Sequence, residues 1–566
     1  MISIQIGKQK RHPLQRVLRG LLWFGILAGL AIVVIGFLFN RITRFAPPTG
    51  AIPPHGLAIE GRRTQFGPSS LTWHTPGRGS PRAALWTLTL KGDPYEIGYA
   101  HGALGNRLIT AADDHMFDMM GRYVPSSFKR WLLLATVRWR YRGLAAHTPP
   151  ELRTELAGMA AALYDRHRDV LPTYQRLLYY HATHDITQGL EKSPLLGCTA
   201  FAAFGPATAG GHLIIGRNFD FEGGDIFDQQ KAVLLVHPTG KIPFASVAWV
   251  GFAGVVTGIN AEGITIVINA ARTDDKAYEG VPVSFLAREV LEQAHTLEEA
   301  ISILRKQKTL VSDVFLVGDG KAQTAAVVEK SPTRFTVRRG KDTLAATNHF
   351  LGQDFAKDGE NDRLRRYLTS GYRHKRLAEL LHGQRGLDVR RAQELLRDRK
   401  GAGGTELGLG NRNAIDALIA THSVVIDATA MTLYVSEAPH TLGRYRAFDL
   451  KRLLRGEGEG EAATVADLPE DPLLDQDGYA ELNRARELMD HARALETAGQ
   501  RSRAIDAATQ AVSLVPRLPD AQKLLGDLWR RAGQPARARI CYEQFLALEP
   551  PYLSEVEEVK ALLAAP

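Results

Sequence analysis

Cysteine is nearly absent from this chain: 566 residues hold two, Cys198 and Cys541. Thiols so far apart make no disulfide framework, and they leave the redox compartment open. HExxH and clustered CxxC patterns are missing too, and with them the common zinc signatures. His181 and His184 stand three apart and would share a helix face, but a metal needs a third ligand that this spacing does not supply. No metal and no cofactor is therefore expected. No basic stripe with interleaved aromatics stands out either, so a net charge of +9 and a pI of about 9.4 do not point to nucleic acid. Apolar residues make up 45% and charged residues 23%, as in an ordinary globular protein. The length suffices for about three or four domains.

Charge is missing from one stretch altogether. Residues 21–39, LLWFGILAGLAIVVIGFLF, carry none. A helix of that length rises about 28 Å, close to the ~30 Å of a bilayer's hydrocarbon core. Lys8, Lys10, Arg11, Arg16 and Arg19 precede it, while only Arg41 and Arg44 closely follow. The positive-inside bias then leaves residues 1–20 in the cytoplasm and sends the rest outside, into the periplasm of a Gram-negative cell. The rival is a cleaved signal peptide, which would have a shorter apolar region. No A-x-A-like site follows in Asn40-Arg-Ile-Thr-Arg-Phe-Ala-Pro-Pro, which favours an uncleaved single-pass anchor.

Cys198 sits in Gly197-Cys-Thr-Ala-Phe201, at the head of an extended run, Cys198–Phe204. Turn residues Gly205, Pro206, Gly210 and Gly211 come next, then His212–Ile215 and Gly216-Arg-Asn-Phe-Asp-Phe221. Glycines bracketing two strand-like runs predict a hairpin. A cysteine opening such a hairpin, with Arg217 and Asp220 returning on its second strand, suggests a thiol nucleophile with electrostatic partners. The competing assignment is a buried structural cysteine, the usual fate of a free thiol.

Further motifs follow in order: Gly258-Ile-Asn-Ala-Glu-Gly-Ile-Thr-Ile-Val-Ile-Asn269, Gly280-Val-Pro-Val, Ser312-Asp-Val-Phe-Leu-Val-Gly-Asp-Gly320, Ala346-Thr-Asn-His-Phe350 and Ser370-x-x-Arg373. With GCTAF and GRNFDF they resemble the isopenicillin-N N-acyltransferase (acyl-CoA:6-aminopenicillanic acid acyltransferase) family, over roughly residues 92–437. These are N-terminal-nucleophile hydrolases, similar more distantly to acid ceramidase and choloylglycine hydrolase. The resemblance implies a four-layer αββα sandwich, where pattern alone gives α+β. It implies Cys198, Asp220 and Asn348 as catalytic residues, with Asp220 near the new amine and Asn348 as an oxyanion-hole side chain. Arg217, Asn269 and Arg373 are implied as substrate-binding or supporting residues; for Asn269 and Arg373 a structural role stands beside the functional one.

The chemistry fits an N-terminal cysteine. A thiol has a pKa of ~8.5 and an α-amine ~7.7–8.0. Once Cys198 becomes a new N-terminus, its own amine can take the thiol proton near neutrality, and no external histidine is required. This demands cleavage of Gly197–Cys198, for which thiol attack on the preceding carbonyl is the expected route. Glycine leaves that carbonyl unhindered.

The remaining chain divides as follows. Residues 40–82, rich in Pro, Gly and Ser from 45 onward, read as a linker. Residues 83–197 read as a helical pro-segment after a strand-like Ala84–Lys91. Its stretch 129–142 mixes Lys129, Arg130, Arg138, Arg140 and Arg142 with Trp131, Trp139 and Tyr141, either a membrane-surface helix or a solvated face. Residues 198–454 read as the catalytic domain, with helical stretches over 284–307, 361–382 and 389–398 and a closing hairpin, Ser423–Asp427 with Thr432–Glu437. Residues 455–478 read as a linker. In 479–566, Leu495-Glu-Thr-Ala-Gly-Gln500 recurs as Trp529-Arg-Arg-Ala-Gly-Gln534, and this period of 34 resembles tetratricopeptide repeats. Such a small all-α module would dock on its own chain or on a protein partner. Cys541 falls at an apolar helical position within it.

The expected activity is a self-processing amide hydrolase or N-acyltransferase acting on a small N-acyl amide or acyl donor through a thioester. Two other classes stay open, a catalytically silent membrane-anchored scaffold and a binding protein for an acylated ligand. Intact GCTAF, Asp220 and Asn348 favour the enzyme.

Overall fold

A computed structural model describes residues 13–75, 85–188, 196–277, 279–457 and 465–564. Lys8, Lys10, Arg11 and Ala84, which entered the expectations above, lie outside the described residues.

Among the described residues, seventeen strands form two sheets. The strands are β1 Leu57–Glu60, β2 Arg63–Phe66, β3 Ser69–Trp73, β4 Trp86–Gly92, β5 Leu196–Gly205, β6 Gly211–Phe221, β7 Lys231–Pro238, β8 Phe244–Trp249 and β9 Thr257–Asn260. Then come β10 Ile264–Ala270, β11 Asp313–Asp319, β12 Thr324–Lys330, β13 Phe335–Arg339, β14 Thr343–Ala346, β15 Ala420–Asp427, β16 Thr432–Ser436 and β17 Tyr445–Asp449. The larger sheet runs β1-β2-β3-β4-β7-β8-β9-β10-β11-β12-β13, and the smaller runs β14-β5-β6-β15-β16-β17. Pairing is antiparallel except between β4 and β7, which lie parallel with Leu88 opposite Leu234.

The sheets pack face to face. Ala200, Ala202, Leu213 and Ile215 of the smaller sheet share one buried cluster with Val233, Val247, Val267, Val314 and Val327 of the larger. The outer face of the larger sheet is covered by helices Pro94–Tyr123, Pro150–Ala162, Val283–Gln293 and Leu297–Lys306. The outer face of the smaller sheet is covered by helices Ser370–Leu381 and Val389–Leu396. The fold is thus α+β with two central sheets between helical layers. β10 and β11 are buried along their whole length, which explains their continuous apolar runs.

Residues 40–82 are not a bare linker. β1, β2 and β3 form a meander that extends the larger sheet from β4. These strands are short and rich in Ser, Thr and Gly-bounded turns, so their composition is that of a loop. Their pairing to β4 is what makes them strands. Through β4 the region before Cys198 contributes to the central sheet as well as to the helical layer. The stretch 284–307 is two helices, broken where Thr296 accepts a hydrogen bond from the Glu299 amide as a helix cap. Residues 455–478 also hold more than a linker: Leu468 exchanges backbone hydrogen bonds with Tyr445, and Pro472–Asp475 forms a 3-10 turn.

Two contacts lock residues 94–162 in place. Helices Pro94–Tyr123 and Pro150–Ala162 cross so closely that a Cβ at Gly98 would stand 1.7 Å from the Glu155 carbonyl oxygen, and one at Gly158 would stand 2.3 Å from that of Tyr95. Arg288 donates to both carboxylate oxygens of Glu155, at 2.8 and 2.6 Å, and to Glu292 at 2.7 Å, all buried.

Helix Pro13–Thr43 carries the apolar stretch. Its segment Leu21–Thr43 has a mean hydropathy of 2.7, and its apolar window is unburied. Among the described residues it is the one helix long and apolar enough to cross a membrane, and the same features fit a signal sequence. Its C-terminal end is tied to the body: Gln175 donates to the Thr43 carbonyl at 2.6 Å, Arg138 donates to Asn40 at 2.7 Å, and Phe39 stacks on Trp139.

The C-terminal region is five helices, Asp477–Thr497, Arg501–Leu514, Pro519–Arg531, Pro535–Ala547 and Leu553–Ala564. Gly499 and Gly533, 34 residues apart, both take a left-handed conformation (φ 74° and 72°) and end equivalent helices. Leu482, Met489 and Leu525 share a core with Leu418, Leu442 and Leu473, so the module is fused to the sheet domain.

Candidate active site

The hairpin β5–β6 builds the site. Its register sets Cys198 opposite Phe219, Ala200 opposite Arg217, and Gly197 opposite Asp220. Side chains alternate between the faces of a strand, so Cys198 and Arg217 share one face and Asp220 lies on the other. The Gly197–Cys198 peptide therefore has the thiol and Arg217 on one side and Asp220 on the other.

Cys198 is fully buried. Burial pushes its thiol up, while Arg217 opposes that shift. Arg217 Nη2 donates to Sγ at 3.3 Å and to the Ile268 carbonyl at 2.9 Å. Its Nη1 donates to the Val256 carbonyl and to Thr257 Oγ1, each at 2.7 Å. The larger sheet thus aims the guanidinium at the sulfur, and the ring of Phe219 supports it from 4.6 Å. His422 stacks on Phe219 at 4.9 Å, and its Nε2 lies 3.1 Å from Thr257 Oγ1. Burial holds this imidazole neutral well below its usual range.

The Cys198 backbone N–H donates to Asn348 Oδ1 at 2.8 Å. Asn348 follows β14, whose pairing to β5 carries Thr347-Asn348-His349 to the cysteine. Arg373 Nη2 donates to the same Oδ1 at 2.7 Å, and its Nη1 donates to the Cys198 carbonyl at 2.5 Å and to Thr199 Oγ1 at 2.8 Å. Asn348 Nδ2 donates to the Ala270 carbonyl at 2.9 Å. Asn348 thus turns its oxygen to the cysteine nitrogen and its amide N–H to β10. Asn269 Nδ2 donates to the Ala346 and Thr347 carbonyls at 3.2 and 3.3 Å, and its buried Oδ1 has no partner.

Asp220 is buried and faces the Gly197–Cys198 peptide; a Cβ at Gly197 would lie 3.3 Å from its Oδ2. Burial raises its carboxyl from 3.8 to about 7, Arg373 and Arg217 pull it down, and Asp416 and Glu222 push it further up. It is poised to exchange a proton near neutrality.

All seven residues singled out in the sequence, Gly197, Cys198, Arg217, Asp220, Asn269, Asn348 and Arg373, converge here. Ser370 was quoted there only as part of the Arg373 motif; its hydroxyl accepts the Asn348 backbone N–H at 2.8 Å. Sequence reasoning gave no role to Thr199, Thr257 or His422. His422 lies in the strand predicted as Ser423–Asp427, one residue before its expected start, so only the register reveals its place. His181 is engaged by the fold: Nε2 accepts from the Ala253 amide at 2.6 Å, and Nδ1 meets the Leu177 carbonyl at 2.7 Å. Among the described residues no cluster of three or more His, Cys, Asp or Glu side chains is arranged to hold a metal.

An aromatic group adjoins the thiol. Phe219 contacts Trp249 at 5.8 Å, Phe227 lies 5.1 Å from Phe221 and 5.3 Å from Trp249, and Phe252 lies 6.2 Å from Trp249. Phe221, Trp249 and Phe252 are partly exposed and form an apolar lip beside Cys198.

Comparison with known proteins agrees with the motifs. Residues 207–409 match the family of acyl-coenzyme A:6-aminopenicillanic acid acyl-transferase, a span that includes Arg217, Asp220, Asn269, Asn348 and Arg373. An uncharacterized protein of Archaeoglobus fulgidus is 27% identical over 270 residues, 45% of each chain. Human acid ceramidase is 22% identical over 293 residues, 48% of this chain and 67% of its own. The mouse N-acylethanolamine-hydrolyzing acid amidase is 28% identical over 142 residues, 23% of this chain and 37% of its own. The chain spans about half the length of the first curated relatives it matches, 45% and 50%. Among solved structures, a conjugated bile acid hydrolase of Clostridium perfringens aligns over 46% of this chain and 94% of its own, at 14% identity and a TM-score of 0.34. The family match and the curated relatives support the N-terminal-nucleophile hydrolase family.

Proposed function

We propose that this chain is a self-processing cysteine enzyme that cleaves or transfers an acyl group at an amide bond. The observation that carries the proposal is the arrangement around one peptide: Arg217 at the Cys198 sulfur, Asn348 at the Cys198 nitrogen, and Asp220 facing Gly197. In processing, Sγ attacks the Gly197 carbonyl carbon and passes its proton to water. The C–N bond breaks, and the Cys198 nitrogen takes a proton, which Asp220 in its neutral form supplies. Water then hydrolyses the resulting thioester, releasing the Gly197 carboxylate and freeing the Cys198 thiol beside its new amine. That amine keeps the Asn348 Oδ1 acceptor and serves as the base for the thiol in later turnovers.

In turnover the thiolate attacks an amide carbonyl and the amine protonates the leaving nitrogen. Water or an amine then takes the acyl group from the thioester. The oxyanion role of Asn348 belongs to this step: Nδ2 leaves the Ala270 carbonyl and donates to the developing oxyanion. In this reading the unpartnered Oδ1 of Asn269 accepts from a substrate amide N–H. The aromatic lip supports an apolar acyl group on the substrate.

Location supports the same substrate class. The apolar helix is proposed as an uncleaved anchor with the body outside the cytoplasm. Helix Ser127–Arg140 packs against its end and buries none of its residues, leaving Phe128, Trp131 and Trp139 exposed among basic side chains. That combination suits a lipid surface. The five-helix region is proposed as a pair of tetratricopeptide-like repeats with a final helix. The test is a panel of N-acyl amides of increasing acyl length, offered to the purified chain with Cys198→Ala as control. Release of amine that grows with apolar acyl length supports the proposal; no turnover of any member by a processed chain contradicts it.

A further inference from the structure

The C-terminal module meets the active site at one loop. Asn411 Nδ2 donates to the Leu548 and Glu549 carbonyls at 3.4 and 3.3 Å, and Asn413 Nδ2 donates to the Glu549 carbonyl at 3.2 Å. These acceptors lie in the turn between the last two helices. Arg412, between the two asparagines, donates both terminal nitrogens to the carboxylate of Glu222. Arg412 Nη1 also donates to Tyr552 Oη at 3.2 Å. Glu222 stands two residues beyond Asp220 on the same chain segment. The loop continues to Ile415, whose carbonyl accepts from Asn218 of β6, and to Asp416, which Arg399 holds at 2.8 Å.

We infer that Arg412 and Tyr552 are positioning residues for the active site, through which the C-terminal helical module sets the charge facing Asp220. The inference rests on the self-processing function proposed above. Glu222 and Asp416 are the like charges facing Asp220, and Arg373 and Arg217 are the opposing ones. Of these, Glu222 is the one whose ion pair the module contacts directly. Arg412 neutralises it, Tyr552 covers the pair, and Arg486 and Asp520 of the module face the same cluster. Tyr552 also faces Arg373, which holds the Cys198 carbonyl. With Arg412 removed, Glu222 would lose its paired cation beside Asp220, and Asp220 would keep its proton to higher pH. With Tyr552 removed, water would reach the pair and screen Glu222, and Asp220 would lose its proton at lower pH.

The test uses the full chain carrying Cys198→Ala, so that processing plays no part. The titration midpoint of Asp220 is read from the pH dependence of the stability difference between that chain and the same chain with Asp220→Asn. Arg412→Gln is expected to raise the midpoint, and Glu222→Gln to lower it, each by about half a pH unit or more. Tyr552→Ala is expected to lower it, and Tyr552→Phe, which keeps the cover, to leave it in place. Unchanged midpoints in Arg412→Gln and Tyr552→Ala overturn the inference. If those two fail to fold, Glu222→Gln and Tyr552→Phe still decide: a midpoint unmoved by the first, or shifted by the second, overturns it. Failure of the otherwise unaltered chain to process would overturn the proposed function and leave this titration standing, so the two failures are told apart.

Discussion

Replacing Asp220 with asparagine makes a quantitative demand on the site. The carboxyl is raised by burial from 3.8 to about 7. A raised carboxyl stabilises the fold most at low pH, where it is neutral in both folded and unfolded chains. As pH climbs past 3.8 the unfolded chain releases its proton while the folded chain keeps it, so stability falls until about pH 7 and then levels. The shift of about 3 pH units, at about 1.4 kcal/mol each, makes the loss about 4 kcal/mol. Asp220→Asn cannot titrate and escapes it. Any fixed cost of the amide is independent of pH and drops out of the comparison. Urea unfolding of Cys198→Ala with and without Asp220→Asn, from pH 4 to 8.5, is the assay. The asparagine chain should gain about 4 kcal/mol on its parent across the window, with no further gain above pH 8. A difference that stays constant would refute the reasoning, since Asp220 would then be ionised in the fold and unable to supply a proton during processing.

Three other outcomes follow. Asn348→Ala removes the acceptor for the Cys198 nitrogen and for Arg373; on pre-cleaved enzyme it should lower turnover by ~10²–10³ more than it weakens substrate binding, whereas an unchanged rate with a lowered melting point would make Asn348 a scaffold residue. Gly98→Ala must push apart two helices whose backbones already touch; it should cost about 3 kcal/mol or more, read by thermal melting, and a melting point within a degree of the parent would contradict the crossing. A reporter active only outside the cytoplasm, fused after residue 60, should be active, while activity of a cytoplasm-only reporter there would reverse the proposed orientation.

The site was more legible in the sequence than its wiring. Cys198, Arg217 and Asp220 were visible because a glycine-bounded hairpin fixes their relation locally. Asn348 and Arg373 reach the cysteine from 150 and 175 residues away, and only motif resemblance brought them in. Which end of the Asn348 amide faces the thiol depends on the Ala270 carbonyl and the Arg373 guanidinium, neither of which a motif can orient. The meander β1–β3 was missed because Ser, Thr and Gly make strands only when a partner such as β4 is present. The β4–β7 pairing joins Leu88 to Leu234, 146 residues away and beyond the reach of any local pattern. The 34-residue repeat was plain, but its seat on Asn411–Asn413 was not, since that contact uses backbone carbonyls in a turn and leaves no mark in composition.

N-terminal sequencing of the purified chain decides whether Cys198 becomes an N-terminus. Two pieces are expected on a denaturing gel, the larger one beginning Cys-Thr-Ala-Phe, and a single inactive chain for Cys198→Ala. A chain that hydrolyses or transfers acyl groups while the Gly197–Cys198 bond stays intact would contradict it.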